Sequence, residues 1–242
     1  MNGYWRKYWA DYGPTEANSD EDLLRQVAHT VNKKPVCHES VVEMLDQIQT
    51  RLDLSMGDHL LDFCCGNGFF SYQLASKVAW LTGIDFVERN ISIARSRKSR
   101  ANTTYIVGDA TTPLRKHLLG DTCIPGKFLM HYSLAYFSPE QLSIILDNIL
   151  ELRGRNQYQF TFLLTGVPNE SLKWSFYNTP DRVARYLENA ELLSEINDGL
   201  GRWWRAEEIQ ETCARHGLNV EVTNQSEKQS SYRMDVVISS PA

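Results

Sequence analysis

The sequence has no excess of positive charge, since 25 lysine and arginine residues stand against 30 aspartate and glutamate residues and the formal net charge is −5. Proteins that bind DNA or RNA draw much of their affinity from cationic side chains that neutralise phosphates and release counterions. The one basic cluster, residues 95–100, is interpreted as the solvated end of a helix. We therefore expect no nucleic-acid partner.

Cysteine is also scarce. The five cysteines are odd in number and irregular in spacing, at positions 37, 64, 65, 123 and 213. Such a set predicts neither a disulfide framework nor a zinc site, so we expect reduced thiols, no metal and a cytoplasmic location. Residues 1–13 lack the apolar segment of a signal peptide, and no apolar run is long enough to span a bilayer. No membrane contact is expected.

Short apolar segments alternate with helical patterns along most of the chain, in which 42% of the residues are hydrophobic. Strands are predicted at 59–63, 80–84, 103–107, 128–131, 158–164, 218–223 and 232–238. Helices are predicted between them at 69–78, 88–99, 139–152 and 205–216. This order predicts an α/β, Rossmann-like fold, with a mostly parallel seven-stranded sheet, helices on both faces and an antiparallel last strand.

Two segments lie outside this alternation. Residues 1–55 are interpreted as an N-terminal helical cap or lid, with helices at 5–12, 20–31 and 39–52. Residues 56–242 then form the ligand-binding domain. Within it, residues 165–202 follow the fifth strand and contain a helix at 180–193, so we expect an insertion over the ligand edge of the sheet.

The first predicted strand runs into a turn of small residues. Gly66 and Gly68 allow a ligand to approach the backbone, and the next helix offers free N–H groups at its start. This pattern indicates a nucleotide-like ligand at a switch point of the sheet. Asp62, just before the turn, repels a pyrophosphate and attracts an ammonium group. It therefore favours a cationic amino-acid ligand over NAD.

Acidic residues also end the next two strands. Asp85 is placed to accept two ribose hydroxyls, and Phe86 follows it and is placed to pack on an adenine ring. Asp109, which precedes Ala110, is placed to accept the exocyclic N–H of adenine. Each acid alone is consistent with a helix cap or a turn residue. Because the carboxyl ends of parallel strands share one crevice, all three together predict a single site.

The stretch from Asp62 to Gly68 resembles motif I of class I S-adenosylmethionine (SAM)-dependent methyltransferases, an acid followed by three alternate glycines. The resemblance covers residues 40–165 and 203–239, and Asp85 and Asp109 match the family's ribose-binding and adenine-binding acids. It implies SAM as cofactor and S-adenosylhomocysteine (SAH) as product. Cys64 stands in place of the first glycine, and because cysteine avoids positive φ we expect an ordinary backbone conformation there.

The residues expected to contact the cofactor combine these motifs with their neighbours. They are Asp62, Cys64, Gly66, Gly68, Asp85, Phe86, Asp109, Ala110, His131 and Tyr8. Tyr8 belongs to an aromatic row on the first helix that is expected either to close over SAM by cation–π attraction or simply to dock on the core. In the first case Arg6 or Lys7 meets a carboxylate.

The acceptor side is less defined. His131 follows the fourth strand, where it is expected either to act as a general base for a hydroxyl or to pack against the cofactor without proton transfer. No Asn-Pro-Pro-Tyr motif follows that strand, which disfavours amino groups of bases or glutamine as acceptors. The expected wall of the acceptor pocket is a set of aromatic residues and arginines. They are Trp174, Phe176, Tyr177, Arg182, Arg185, Trp203 and Trp204.

These features favour methyl transfer from SAM to an oxygen of a small or medium polar acceptor, such as a secondary metabolite, a sugar or an organic acid. Two alternatives stay open: an NAD-dependent oxidoreductase and a non-catalytic SAM-binding protein. Asp62 disfavours the oxidoreductase, as does the lack of a Tyr-x-x-x-Lys pair. The sequence does not fix the oligomeric state.

Overall fold

The computed structural model describes residues 3–14, 16–31, 33–114, 124–154, 159–192 and 200–241. The helices are α1 (Gly3–Asp11), α2 (Asp20–Gln26), α3 (His38–Leu52), α4 (Phe69–Leu74), α5 (Glu88–Arg97), α6 (Pro139–Arg153), α7 (Lys173–Phe176), α8 (Pro180–Leu192) and α9 (Ala206–Arg215). The strands are β1 (Thr30–Val31), β2 (Lys34–Pro35), β3 (His59–Phe63), β4 (Trp80–Asp85), β5 (Thr103–Val107), β6 (Lys127–His131), β7 (Thr161–Pro168), β8 (Asn219–Asn224) and β9 (Arg233–Ser239). Within these ranges, none of the helices has the length and apolar character needed to cross a membrane.

Seven strands form one sheet in the order β5-β4-β3-β6-β7-β9-β8, and β1 and β2 form a separate antiparallel ribbon. The first five strands of the sheet are parallel, whereas β9 lies antiparallel to both β7 and β8. The predicted fold class, including the reversed last strand, is confirmed. The chain moves outward from β3 to β5 and then returns to β6, which makes the β3–β6 boundary the switch point of the sheet.

Alternate side chains of the central strands enter two hydrophobic cores, one on each face of the sheet. Leu61 and Phe63 pack in one core with residues of α6 and α9, such as Ile145 and Ile209. Leu60 packs in the other core with residues of α3 and α4. Because helices cover both faces of the sheet, all five residues of β3 are buried.

The structure corrects two predicted boundaries. The second helix ends at Gln26 instead of continuing to Val31, because Ala28 takes a positive φ of 56° and the chain turns into the ribbon of β1 and β2. The fifth strand continues to Pro168 instead of ending at Leu164, so the insertion begins later. A bulge between Leu164 and Val167 lets β7 bend and then resume pairing with β9.

The aromatic row of the first helix lies on one face, as predicted. Trp5 is buried and its ring packs against Tyr136 at 4.7 Å, while Trp9 packs on the same tyrosine at 5.1 Å. Tyr136 follows β6, at the carboxyl edge of the sheet. Helix α1 is therefore held against the edge at which the strand-end acids lie.

Cys64 departs from the expected backbone conformation, because its φ is +59°. The turn that starts at Cys64 directs the N–H of Cys65 to the carbonyl of Ile84 at 3.0 Å and the N–H of Gly66 to a carboxylate oxygen of Asp85 at 3.0 Å. Both hydrogen bonds fasten the turn to the end of β4. These tertiary contacts override the preference of cysteine for negative φ.

A pair of variants at this position tests the conformation. In an ordinary conformation glycine is less stable than alanine by about 0.5–1 kcal/mol, whereas at a left-handed position alanine carries a cost of roughly 1–2 kcal/mol. We therefore expect Cys64→Gly to have a higher free energy of unfolding than Cys64→Ala, by about 1 kcal/mol. Urea titration of the two variants measures the difference, and a more stable alanine variant contradicts the positive φ.

Candidate functional site

A cleft with about 870 Å³ of empty space opens at the carboxyl ends of β3, β4 and β6, beside the switch point of the sheet. Six of the residues expected to contact a cofactor line it: Asp62, Cys64, Gly66, Asp85, Phe86 and His131. Four others do not line it, namely Tyr8, Gly68, Asp109 and Ala110. The cleft thus brings together the predicted residues from the ends of three strands.

Asp62 and Asp85 are the most deeply placed of these residues, with 2% and 7% of their surfaces exposed. Asp62 accepts a hydrogen bond from the Ser71 hydroxyl at 2.5 Å, and Asp85 accepts from the N–H groups of Gly66 at 3.0 Å and Val87 at 2.8 Å. Neither carboxylate forms an ion pair with a described lysine or arginine. Burial raises the pKa of Asp62 to about 7 and that of Asp85 to about 6.

Other buried polar atoms in the cleft have no hydrogen-bond partner among the described residues. They are Trp9 Nε1, Asn90 Oδ1 and His131 Nε2. Native proteins leave few buried polar atoms unsatisfied, so a cluster of them at one cavity indicates a polar ligand. A ligand with an ammonium group and hydroxyls, such as SAM, fits both these atoms and the two unpaired carboxylates.

Backbone strain is concentrated at the same place. Of the five non-glycine residues with positive φ in the described ranges, Ala28, Cys64 and Tyr132 line the cleft. Gly66 also has a positive φ, and a Cβ there would lie 2.7 Å from the Val27 side chain. Strained residues persist where the surrounding structure fixes them and are common at functional sites.

Asp109 lies at the end of the site covered by α1. Its carboxylate forms an ion pair with Arg6 and accepts hydrogen bonds from the Thr111 N–H at 2.9 Å and hydroxyl at 2.7 Å. The Arg6 guanidinium also lies over the Phe86 ring, 5.3 Å from its centroid. Arg6 therefore meets a carboxylate and links two of the residues predicted to bind adenosine. On α1 it is Trp9, and not Tyr8, that lines the cleft.

His131 lies in a stack of aromatic rings. Its ring is 4.9 Å from that of His29 and 4.4 Å from that of Phe70, and its Nδ1 lies 2.6 Å from the Thr165 hydroxyl. Burial holds the pKa of His131 well below its usual range and lowers that of His29 to about 3. Both imidazoles are neutral at pH 7. These surroundings favour the alternative in which His131 packs beside the cofactor without taking a proton.

A second, outer cavity with about 1750 Å³ of empty space adjoins the cleft. Phe176, Tyr177 and Arg182 line it, as expected of the acceptor wall. Trp204 was expected in that wall, but it is fully buried in the core and its Nε1 donates to the Leu134 carbonyl at 3.2 Å. Trp174 is 61% exposed, and it and Trp203 are not among the lining residues. The side chain of Arg185 lies outside the described part of the chain.

The two cavities share a wall made of four residues, Ala28, His29, Tyr132 and Arg233. None of them is among the ten residues expected to contact the cofactor or among the residues of the expected acceptor wall. The sequence does contain an indication for Arg233, because a charged residue at the start of a largely apolar last strand is unusual. The sequence contains no such indication for His29, since nothing in the neighbouring residues predicts that its ring stacks on that of His131.

Buried acids at neighbouring strand ends and a glycine turn beside the switch point are typical of an α/β fold that binds a nucleotide-like cofactor. Comparison with known proteins shows what the chain is similar to. Residues 54–128 match the family model of a methyltransferase domain. A crystal structure of magnesium protoporphyrin IX methyltransferase from Synechocystis PCC 6803 with bound SAH superposes with a TM-score of 0.59 at 17% identity, covering 99% of this chain and 94% of that one. Another structure of that protein holds SAM.

Curated relatives match in shorter segments. An uncharacterized RNA methyltransferase of Leptospira interrogans is 43% identical over 61 residues, which are 25% of this chain and 13% of that protein. The mitochondrial ubiquinone biosynthesis O-methyltransferase of Arabidopsis thaliana is 22% identical over 183 residues, 66% of this chain and 56% of that protein. The chain thus spans less than two thirds of the length of either relative.

Residues 54–128 therefore match a methyltransferase domain, and the sheet has the fold of the solved SAM-dependent methyltransferases to which the chain is similar. The domain matched is of the kind that the sequence resemblance implies, and the SAM and SAH held by the similar structures are the cofactor and product that it implies. The match favours a methyltransferase over the NAD-dependent alternative.

Proton release tests whether Asp62 receives the ammonium group of SAM. With a pKa of about 7, this carboxyl is about half protonated in the free protein at pH 7. A bound ammonium group favours the ionised form and lowers the pKa, so we expect SAM binding to release about half a proton at pH 7. Titration calorimetry in buffers of different ionisation enthalpy measures this number.

The matched control is Asp62→Asn, which has no proton to release at this position. We expect the release to disappear in that variant while the protein stays folded, because the asparagine amide still pairs with Ser71. Equal proton release by the wild type and the variant would show that another group titrates.

Proposed function

We propose that this protein is an enzyme that transfers the methyl group of SAM to an oxygen of a small or medium polar acceptor. The observation that carries the proposal is the wall shared by the two cavities, because a donor in the cleft and an acceptor in the outer cavity meet there. Because a fold alone does not determine function, the two adjoining cavities are the feature that supports methyl transfer.

The cleft supplies the donor site in this proposal. Asp62 holds the ammonium group and Asp85 the ribose hydroxyls, since both carboxylates are buried without a cation beside them in the described structure. Phe86 packs on the adenine ring, and the exocyclic N–H of adenine reaches Asp109 once the Arg6 side chain, which pairs with that carboxylate in the free protein, moves aside. SAM, when bound there, supplies an electrophilic methyl group on a sulfonium.

The residues around the shared wall align the reactants and exclude water. The rings of His29, Phe70 and His131 pack together and stay uncharged at neutral pH, so they form a firm, weakly polar boundary beside the donor. Methyl transfer is a direct displacement, and orientation of the two reactants supplies much of the rate enhancement in such reactions.

The outer cavity supports a small-molecule acceptor instead of a nucleic acid. Aromatic rings of Phe176, Tyr177 and Tyr232 line it, and the protein as a whole is acidic. Polar and charged side chains, among them Glu43 and Lys228, also line this cavity, so it suits an organic molecule that joins an apolar body to polar groups. The O-methyltransferase relative from Arabidopsis thaliana is consistent with an oxygen acceptor.

Asp85 provides the test of the donor site. Hydrogen bonds to charged groups contribute on the order of 1.5–3 kcal/mol, so we expect Asp85→Asn to weaken SAM and SAH binding roughly tenfold or more. Calorimetry measures the affinity, and Asp46→Asn, a change at an exposed position of α3, is the matched control. Unchanged affinity in the Asp85 variant removes the assignment.

An assay of methyl transfer tests whether the protein is an enzyme. We expect purified protein to bind SAM and SAH but not NAD, and to transfer label from tritiated SAM to members of a panel of small hydroxyl and carboxyl compounds. Binding of SAM with no transfer to any of them favours the non-catalytic alternative. Transfer to an RNA transcript in preference to the small compounds contradicts the proposed acceptor class.

A further inference from the structure

Arg233 is a charged residue of the shared wall that forms no ion pair with a described carboxylate, although Asp235, two residues on, is near enough to feel its charge. It is the first residue of β9, and its guanidinium lies over the rings of Tyr132 and Tyr232, at 4.8 and 5.0 Å from their centroids. One of its N–H groups donates to the Gly166 carbonyl. No described aspartate or glutamate lies within ion-pair distance of it.

The backbone around Arg233 fixes its position. Gly166 sits in the bulge of β7 with a φ of +65°, and a Cβ there would lie 2.6 Å from the Tyr132 ring. The N–H of Gly166 donates to Asp235 at 2.9 Å, two residues after Arg233 on β9. The bulge therefore places the tyrosine ring and the guanidinium together. An arginine held in this way loses little side-chain freedom when it binds a ligand.

The remaining members of the wall carry no charge at neutral pH. Ala28 is apolar, burial lowers the pKa of His29 to about 3, and burial raises the pKa of Tyr132 above its ordinary value. Arg233 is thus the one permanent charge among the four residues that both cavities share. Enclosing a guanidinium without a carboxylate costs free energy, and an anionic ligand offsets that cost.

We propose that Arg233 binds a carboxylate of the acceptor at this wall and that this carboxylate is the group methylated. The inference rests on the proposed function and names its acceptor class: a carboxylic acid with an aromatic or apolar body, which suits the rings of Phe176, Tyr177 and Tyr232 in the outer cavity. The planar guanidinium matches the geometry of a carboxylate and orients it by charge-assisted hydrogen bonds.

The reaction at such a site balances without a base. One carboxylate oxygen forms a bond to the methyl carbon, the bond from that carbon to sulfur breaks, and its electron pair stays on sulfur. The products are a methyl ester and SAH, and no proton moves. This agrees with a wall whose two neighbouring imidazoles, those of His29 and His131, are too desolvated to accept a proton near neutral pH.

Binding of simple acids to the protein saturated with SAH tests the anion site. The probes are benzoate, cinnamate and 4-hydroxyphenylacetate, each beside its amide, and calorimetry measures their affinities. We expect an acid to bind in the millimolar range or tighter, and its amide roughly tenfold more weakly, because the amide lacks the charge. If no acid binds, or if acids and amides bind equally, the proposal is wrong.

Variants assign that binding to one arginine. We expect Arg233→Gln to abolish the preference for acid over amide and Arg233→Lys to retain part of it, since lysine keeps the charge but not the planar fork. Arg182→Gln, at an exposed arginine of the same cavity, is the matched control and keeps the preference. SAH affinity should be unchanged in all three variants. If Arg182→Gln abolishes the preference for acid over amide and Arg233→Gln keeps it, the assignment to Arg233 is wrong.

Stability separates a ligand-binding role from a structural one. Arg233 forms no ion pair, but it donates to the Gly166 carbonyl and lies over two tyrosine rings, so we expect Arg233→Gln to melt within about five degrees of the wild type. A large drop in melting temperature, together with weaker SAH binding, would mean that the guanidinium supports the fold. In that case the loss of acid binding follows from misfolding and the proposal fails.

The chemical nature of the product distinguishes methylation of a carboxylate from methylation of a hydroxyl. With tritiated SAM and 4-hydroxyphenylacetate, which carries both a carboxylate and a phenol, we expect label that alkali releases as volatile methanol, as from a methyl ester. Label that resists alkali is an ether at the phenol, which overturns this inference and leaves the proposed methyl transfer to oxygen intact. Absence of SAM binding to the wild type would instead remove the proposed function itself.

Discussion

The burial of two carboxyl groups at neighbouring strand ends is the constraint around which the site is arranged. Asp62 and Asp85 end adjacent parallel strands, and no described cation is paired with either of them. The fold limits this cost with hydrogen bonds from Ser71, Gly66 and Val87. The bond from Gly66 requires the chain to turn at Cys64, so the left-handed cysteine follows from the need to satisfy Asp85.

Buried groups of opposite charge lie at two parts of the cleft. The inner cleft is lined by buried acids, which suit the cationic donor, and the wall toward the outer cavity carries the guanidinium of Arg233. Each group is costly in the empty protein and is complemented by a ligand of opposite charge. Three strained residues, Ala28, Cys64 and Tyr132, lie between or beside these groups, so the fold holds them against both electrostatic and conformational cost.

The sequence was sufficient to predict what local signals determine. The alternation of strands and helices predicted the sheet and its switch point, and the strand-ending acids with the glycine turn predicted two of the acids that line the cleft, Asp62 and Asp85. The shared wall could not be predicted from the sequence, because its residues come from distant parts of the chain. His29 lies in a loop, Tyr132 follows β6 and Arg233 begins β9, and the bulge in β7 brings the last two together. The prediction for Trp204 was wrong because the sequence pattern of an aromatic residue is the same whether its side chain lines a pocket or is buried in the core. Trp204 is buried in the core.

The surroundings of the wall also bear on the rate of the transfer. A sulfonium and a carboxylate react to give two neutral products, so a weakly polar environment favours the charge-dispersed transition state over the separated ions. The stacked rings of His29, Phe70 and His131, uncharged and shielded from water, provide such an environment beside the donor cleft. The same desolvation that makes His131 a poor base therefore assists a reaction that needs no base, provided that the acceptor arrives as an anion.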